Sequence, residues 1–415
     1  MTRQKRSIRP SRRTVLGAGG LLGARGLAAS TGAAREVARD AAVFEPTSVD
    51  QLGKRLDPWI ELDRSRYLAN CRAISECAGG RPVIAVLKND AYGLGLQEVA
   101  WILEDAPELW GFAVVRAEDA LALRAAGRRK PILLMARHGD EEGEALARAD
   151  VTLSAFADDD PERFARVAGA LGHPIAVHLY VDTGLGRMGR RFDRISPWIE
   201  KLRESCSIDG AMTMLTSDEE FTREQVARFS KLGTQLRRGN EKCLLHVASS
   251  YPLLHDPSSR FSAVRPGILL HGSRPSGGEE ERALIDVEVA FRLRAGVVRI
   301  ERLPAGSTLG FSRFFTLEEP AWVATVPTGW GDGYPSAAEN GAVALSGGRR
   351  YPVVNVNSNH ANLLVGSEKT LDLGDLVTLM GFGDPAVTPE GLTESLGGNN
   401  YRQIDLKGYL PRYVA

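Results

Sequence analysis

The stretch that decides the fold is residues 83–95, VIAVLKNDAYGLG. Five apolar residues, 83–87, precede Lys88, and a polar turn, a tyrosine and two glycines follow it. An apolar run of this length is typical of a buried parallel strand rather than of a helix. Because a charged amine is costly to bury among apolar side chains, Lys88 must reach solvent, a partner or a covalent ligand. An ordinary surface lysine satisfies the same pattern, but in an α/β barrel this strand end lies on the catalytic face.

Similar apolar runs recur along the chain and alternate with helix-like stretches. Eight strands are predicted, at 83–88, 111–115, 132–136, 151–155, 175–182, 208–215, 244–249 and 263–270. Helices are predicted at 64–78, 117–127, 161–171 and 220–238, with Asp63 capping the first and Gly79 and Gly80 ending it. The alternation predicts an α/β fold, a (β/α)8 TIM-like barrel over residues 57–287. An open doubly wound sheet is the alternative, but no GxGxxG motif follows an early strand.

The sequence pattern changes after residue 287. Segments become short, apolar and punctuated by Pro and Gly, and no long helix is indicated. Strands are predicted at 288–303, 322–327, 342–346, 351–356 and 375–380. Residues 288–415 are therefore expected to form an all-β C-terminal domain. An early strand at 58–63 is a candidate to join either domain.

The composition describes an ordinary globular protein without a charge bias. Of 415 residues, 43% are hydrophobic and 25% are charged, which suits two or three domains. Basic and acidic residues number 52 each, so charge gives no case for nucleic acid or a membrane surface as partner. The four cysteines have neither CxxC nor zinc-site spacing. We therefore expect neither a metal site nor a disulfide framework.

Residues 1–45 have the pattern of an export signal. A basic start, MTRQKRSIRPSRR, leads into a short stretch of small apolar residues. Residues 11–16, SRRTVL, resemble the twin-arginine motif, which carries folded proteins across a membrane. Glycines and Arg25 interrupt the apolar stretch, so it is too short to be a transmembrane helix. The sequence predicts export to the periplasm or beyond, and the alternative is a disordered basic tail.

Residues 88–95, KNDAYGLG, resemble the K-x-x-x-Y-G-x-G motif of the alanine racemase family. The resemblance spans about 57–415 and implies a homodimer in which a barrel binds pyridoxal 5'-phosphate (PLP) and a β-domain follows. It also implies that Lys88 forms a Schiff base with PLP and that Tyr92 helps to hold its phosphate. Physical chemistry agrees, since a desolvated lysine has a lowered pKa and its neutral amine can attack an aldehyde.

Further stretches resemble the same family: 178–189 (HLYVDTGLGRMG), 264–268 (VRPGI) and the pair Ser249-Ser250. The resemblance places Arg187 beside the PLP ring oxygen and the substrate carboxylate, and Arg265 at the pyridine nitrogen. The phosphate ligands that it implies are Ser250, the backbone N–H groups of Gly267 and Ile268, and Tyr401. A guanidinium keeps its proton, so the pyridine nitrogen stays unprotonated and PLP is a weaker electron sink. That favours local proton transfer at Cα.

Three linked positions depart from the family pattern. Phe311 stands where a tyrosine of the partner subunit acts as the second base, and Met214 stands where a histidine orients that tyrosine. The Ser-Met-Asp-Gln element that clamps the substrate becomes 358–361, SNHA. Asn359 and His360 are therefore candidate substrate ligands, and His360 is a candidate second base because histidine titrates near neutrality. The alternative is a His360 that is merely packed in the domain.

Three functions follow from these observations. The first is a PLP-dependent isomerase, a racemase or epimerase of a small-molecule amino acid with an altered second base. The second is a one-base lyase, decarboxylase or aldolase-like enzyme that uses Lys88 alone. The third is a non-catalytic descendant that binds PLP. The retained PLP residues argue against the third function, Arg265 argues against the second, and Phe311 argues against the first. We predict the first, with the amino acid left open.

Overall fold

A computed structural model describes residues 44–415 except positions 53, 312 and 401–403. Almost all of the export signal predicted over 1–45 lies outside these residues, and so does Tyr401, the predicted phosphate ligand. Among the described residues, no helix is long and apolar enough to cross a membrane.

The described residues of the first half of the chain form nine strands. They are β1 (Trp59–Leu62), β2 (Val83–Val86), β3 (Leu109–Val114), β4 (Ile132–Leu134), β5 (Val151–Ala155), β6 (Ile175–Asp182), β7 (Arg190–Arg191), β8 (Cys206–Met212) and β9 (Leu244–His246). Seven of them pair in parallel in the order β2-β3-β4-β5-β6-β8-β9, and β7 pairs only with β6. The bounds of β5 and β6 are those predicted from the sequence.

Residues 263–266 close this sheet into a barrel. Isolated bridges join Ala263 to the end of β9 and Val264 to the start of β2. The backbone N–H of Ile84 donates to the Val264 carbonyl at 2.8 Å, and that of Val86 donates to the Pro266 carbonyl at 3.0 Å. The strand predicted at 263–270 is therefore wrong in extent: after these residues, Ile268–His271 form a 3-10 helix. Pro266 has no N–H to donate, which limits further pairing.

Helices alternate with the parallel strands and cover the outside of the barrel. They are α1 (Arg64–Cys77), α2 (Leu96–Leu103), α3 (Ala117–Ala125), α4 (Asp140–Arg148), α5 (Asp160–Leu171), α6 (Ser196–Leu202), α7 (Glu219–Gly239), α8 (Ser250–His255) and α9 (Glu279–Leu284). As predicted, Asp63 caps α1, accepting a hydrogen bond from the Arg66 N–H at 3.0 Å. Gly79 and Gly80 follow α1 with φ of 72° and 78°, values that favour glycine.

Alternation along the strands gives the barrel an inner and an outer core. The inner core consists of Ile84, Val86, Ala113, Leu133, Tyr180, Met212 and Ala263. Neighbouring residues such as Ala85, Phe112 and Leu179 point outward and pack beneath the helices. Fully burying a large apolar side chain contributes about 1.5–3 kcal/mol, so these two layers hold the strand ends in fixed positions.

The second half of the chain is built from strands, with one α-helix, α10 (Pro389–Leu396), among its described residues. The strands are β10 (Phe291–Gly296), β11 (Arg299–Leu303), β12 (Thr308–Leu309), β13 (Phe315–Thr316), β14 (Ala321–Val326), β15 (Val343–Ser346), β16 (Arg349–Val356), β17 (Ala361–Gly366), β18 (Leu376–Gly381) and β19 (Arg412–Val414). Nine strands pair in the order β11-β14-β17-β16-β15-β18-β10-β1-β19. The early strand β1 thus joins the β-domain, antiparallel to β10 and parallel to β19.

The predicted fold class, a barrel followed by an all-β domain, is confirmed. Two details differ. The segment predicted as one strand at 288–303 is two strands, β10 and β11, and β17 was not predicted at all. The domain limits of 57–287 and 288–415 stay predictions.

Candidate active site

Lys88 begins a left-handed turn instead of ending a strand. Strand β2 stops at Val86, and the next residues after Lys88, Asn89–Tyr92, all have φ between 51° and 62°. A left-handed conformation costs roughly 1–2 kcal/mol for a residue with a side chain, although Asn and Asp tolerate it better. Such strain persists only where the surrounding structure fixes it, and it is common at functional sites.

The amine of Lys88 is partly buried at the carboxyl end of the barrel. Its pKa is lowered, first because burial penalises the charged form and second because the positive charge of Arg187 repels it. The nitrogen Nζ lies 5.7 Å from the centre of the Tyr92 ring. A lowered pKa increases the fraction of neutral amine near neutral pH, which is the form that attacks a carbonyl.

Ser250, Gly267 and Tyr92 form a cradle beside this lysine. The Gly267 N–H donates to Ser250 Oγ at 3.1 Å, and both residues are buried. A Cβ added at Gly267 would lie 2.0 Å from the Tyr92 hydroxyl oxygen, so only glycine lets the hydroxyl come this close. Ile268 is buried and begins the 3-10 helix. A hydroxyl from each of two side chains beside a glycine backbone suits a phosphate, so the residues present fit PLP.

Arg265 is buried in the barrel and holds a fixed position. Its guanidinium donates to the carbonyls of Thr213 (2.8 Å) and His246, and it lies 2.9 Å from His246 Nδ1. Burial lowers its pKa to about 10, which still leaves the group charged at neutral pH. A charged donor with this many acceptors is firmly oriented.

Two buried histidines lie behind Arg265: His246 contacts its guanidinium, and His178 contacts His246. His178 Nδ1 lies 2.8 Å from His246 Nε2, and both rings are inaccessible to solvent. Burial and the charge of Arg265 lower the pKa of His178 to about 3 and hold that of His246 well below its usual value. Both rings are neutral at physiological pH. Sequence reasoning gave them no role, although His178 stands in the quoted stretch 178–189; His246 ends β9 and lies outside the quoted stretches.

Asp182 shapes the loop that carries Arg187. Its carboxylate accepts hydrogen bonds from the N–H groups of Gly184 (2.9 Å) and Gly186 (3.1 Å). Arg187 is exposed, and within the described part of the chain its side chain has neither an ion pair nor a hydrogen bond. An unpaired guanidinium is available to a carboxylate ligand.

Met214 lies at the floor of the same site. Its sulfur is 3.1 Å from the Arg265 guanidinium, and its carbonyl accepts a hydrogen bond from Gln225 Nε2 at 3.2 Å. Gln225 belongs to α7 and is fully buried. The position where the family resemblance places an orienting histidine therefore holds a thioether, which is only a weak acceptor.

The remaining predicted residues lie on the β-domain and face solvent. The side chain of Phe311 is 94% exposed, and Asn359 and His360 are exposed as well. Among the described residues, no hydrogen bond, ion pair or ring contact joins any of them to Lys88. The predicted site is therefore divided between a barrel half, which the fold assembles, and a β-domain half, which it leaves on the surface.

Fold and barrel site together define a class of protein, a PLP-dependent isomerase with a lysine at the mouth of a barrel. The family description "Alanine racemase, N-terminal domain" matches residues 62–275, and "Alanine racemase, C-terminal domain" matches 290–409. The chain belongs to the alanine racemase family. Members use PLP, so the predicted cofactor is confirmed as well.

Individual relatives agree with this assignment. The alanine racemase of Methanococcus maripaludis is 30% identical over 359 residues, covering 83% of this chain and 95% of the relative. Alanine racemase 1 of Clostridium acetobutylicum is 28% identical over 358 residues, covering 83% and 92%. The solved alanine racemase of Bacillus anthracis with bound L-Ala-P has a TM-score of 0.75 at 26% identity, covering 87% and 95%. For that of Clostridium difficile 630 the TM-score is 0.79 at 24% identity, covering 87% and 96%.

Proposed function

We propose that the chain is an amino-acid racemase or epimerase in which Lys88 moves the proton on one face of Cα. The observation that carries the proposal is the lowered pKa of Lys88 beside the Ser250–Gly267–Tyr92 cradle. When bound, PLP withdraws electrons from Cα and weakens its bond to hydrogen. Lys88 takes or returns that proton, and Arg187 holds the substrate carboxylate.

The proton on the opposite face needs a second donor. Phe311 has no exchangeable proton, so it cannot supply one. His360 is exposed at the surface, and an imidazole ring can both donate and accept a proton. We assign His360 to the second face and Asn359 to the substrate carboxylate. Because these residues replace the family's clamp, we leave the amino acid open and do not restrict it to alanine.

The second face is completed by a homodimer in this proposal. Gly310 lies against Asn355, and Gly329 lies against the backbone of Asn357 and Ser358, so both glycines lie close to the segment that leads to His360. The exposed aromatics that follow these glycines in sequence are Phe311 (94%), Phe314 (85%) and Trp330 (55%). Adjacent exposed aromatics of this kind are typical of protein interfaces. Sedimentation of the wild type should give a dimer, and Phe314→Asp should shift it to monomer without unfolding it.

A one-base lyase or decarboxylase is the second candidate. It is disfavoured by Arg265, whose hydrogen bonds hold a charged guanidinium at the predicted pyridine position. Without a proton on that nitrogen, PLP stabilises a carbanion less well, and both bond-cleaving reactions depend on that stabilisation. A non-catalytic descendant is disfavoured by the desolvated Lys88.

Chiral chromatography tests the function. Purified PLP-loaded protein is incubated with single L-amino acids, and the D-enantiomer is measured over time. The proposal predicts a D-enantiomer from at least one amino acid and none from the Lys88→Ala protein. Release of an amine, carbon dioxide or an aldehyde instead would favour the one-base reaction, and no change in any amino acid would contradict both.

Export through the twin-arginine route is part of the proposal, and residues 1–45 support it by their composition alone. Fusing them to a reporter that is active only after folded export should direct the reporter out of the cytoplasm. The double change Arg12→Lys and Arg13→Lys should retain it inside, and unchanged export would count against this route.

A further inference from the structure

The left-handed turn that carries Lys88 is held from outside the barrel. Asp90 lies in the turn, and its Oδ2 is 2.7 Å from Nη2 of Arg412, in the last strand of the chain. The same Nη2 donates to the carbonyl of Gly93 at 3.0 Å. One nitrogen thus contacts both a side chain and the backbone of the turn, more than 300 residues away in sequence.

The geometry of Arg412 is that of a fixed fork. Its side chain is 9% exposed, whereas that of Asp90 is 41% exposed. Nη1 donates to the carbonyl of Gly408, so the guanidinium is tied to its own segment as well. Strand β19 pairs in parallel with β1, with Ile60 opposite Arg412, and this pairing anchors the arginine to the β-domain sheet.

The segment just before Arg412 also contacts the same turn. Gly93 has φ of 85°, and a Cβ added there would lie 2.3 Å from the Leu406 carbonyl oxygen. Lys407 N–H donates to the Asp332 carbonyl at 3.2 Å, which attaches this segment to the β-domain turn 329–334. Residues 404–412, the C-terminal clamp, therefore lie between the Lys88 turn and the β-domain.

Local contacts alone do not explain the turn. Its backbone N–H groups bond locally: Ala91 to the Leu87 carbonyl (3.2 Å), Gly93 to those of Asn89 and Asp90 (2.9 Å each), Leu94 to that of Ala91 (3.2 Å) and Gly95 to that of Asp90 (3.0 Å). Asp90 Oδ1 also accepts from the Leu96 N–H at 2.8 Å. Ala91 and Tyr92 are not residues that favour positive φ, so additional contacts must offset the strain.

We infer that Arg412 is a positioning residue for Lys88: its Nη2 holds Asp90 and Gly93 while Nη1 ties the guanidinium to Gly408, which keeps the left-handed turn formed and so aims the amine into the barrel mouth. The inference rests on the proposed role of Lys88. The C-terminal clamp is thus part of the active-site structure, because releasing Arg412 lets the turn that carries Lys88 relax toward right-handed conformations.

Hydrogen exchange of the apo protein tests this without catalysis. In Arg412→Lys, which keeps the charge but loses the fork, amides of residues 88–96 should exchange about tenfold faster or more. Asp90→Asn keeps the bond to Leu96 and removes only the ion pair, so it should give a smaller increase in the same segment. Amides of α3, which Arg412 does not contact, should not change.

Arg294→Lys is the matched control. Arg294 is also partly buried in the β-domain sheet and pairs with Glu61 at 3.1 Å, but it does not contact the turn. The Arg294→Lys change should lower the unfolding temperature without changing amide exchange in residues 88–96. The affinity of the apo protein for PLP should fall about tenfold in Arg412→Lys and stay unchanged in Arg294→Lys.

Unchanged exchange at 88–96 in both Arg412→Lys and Asp90→Asn would overturn the inference, and so would equal effects in Arg294→Lys. Failure of the wild type to act on any amino acid would contradict the proposed function but leave the exchange result standing. The two failures are therefore distinguishable.

Discussion

The barrel half and the β-domain half of the site differ in how the fold holds their side chains. Arg265 is 2% exposed and is fixed by two carbonyls and a histidine, whereas Phe311 is 94% exposed. Only the barrel half is preorganised within one chain. This difference supports a barrel that binds the cofactor and, in our proposal, moves one proton through Lys88. In our proposal the chemistry on the other face falls to surface residues of the β-domain. Phe311, Asn359 and His360 there depart from the family pattern, and so does Met214 in the barrel.

The largest effect is expected at the centre of the barrel half. Lys88→Ala removes the amine that attaches PLP and moves the proton, so activity should fall by about 10⁴-fold or more. The absorbance band of bound PLP should also disappear. Lys231→Ala, an exposed lysine of α7, is the control and should keep both. Persistence of the band in Lys88→Ala would mean that another group holds PLP.

His360 tests the β-domain half. If it is the second acid/base group, His360→Ala should slow racemisation about 10²–10⁴-fold while PLP affinity stays the same. His173→Ala, another exposed histidine, should have no effect. An unchanged rate in His360→Ala would assign His360 to packing and leave the second face without a donor.

Restoring the family residues should sharpen the comparison. Phe311→Tyr alone should raise racemisation by less than about tenfold, because Met214 cannot orient the new hydroxyl. Adding Met214→His should raise it further than the sum of the single changes, since the two residues act as a unit. Additive effects of the two changes would show that the two residues do not act as a unit.

The smallest effect concerns the charge beside Lys88. Arg187→Gln removes a positive neighbour that lowers the pKa of the amine, so that pKa should rise. Less neutral amine is then present at a given pH, and the pH dependence of PLP attachment should move to higher pH. Arg190→Gln, on the neighbouring β7, is the control. A shift to lower pH would contradict the electrostatic account.

Much of the barrel was predictable because apolar runs and helix caps are local signals. Strands β5 and β6 have the predicted bounds, and Asp63 caps α1 as expected. The left-handed turn was not predictable from KNDAY, since Arg412 fixes it from the far end of the chain. Strand β17 has a weak local signal, because Asn362 interrupts its apolar run and Gly366 ends it.

The site was predicted only in part, because motifs are local in the sequence and contacts across the barrel are not. Motifs identified Lys88, Ser250 and Gly267, and the structure brings them together with Tyr92. Composition and spacing gave no signal for the support behind Arg265. His178 and His246 act through contacts that exist only once the barrel is closed.

Proton exchange in D2O tests the central claim most directly. Wild-type protein and His360→Ala are incubated with a single L-amino acid that the wild type racemises, and deuterium at Cα is measured in each enantiomer. We predict that the wild type forms deuterated D-enantiomer, while His360→Ala incorporates deuterium with retention of configuration, because Lys88 still works on its own face. Rapid formation of D-enantiomer by His360→Ala, or loss of all deuterium exchange in it, would contradict a site in which Lys88 serves one face of Cα and His360 serves the other.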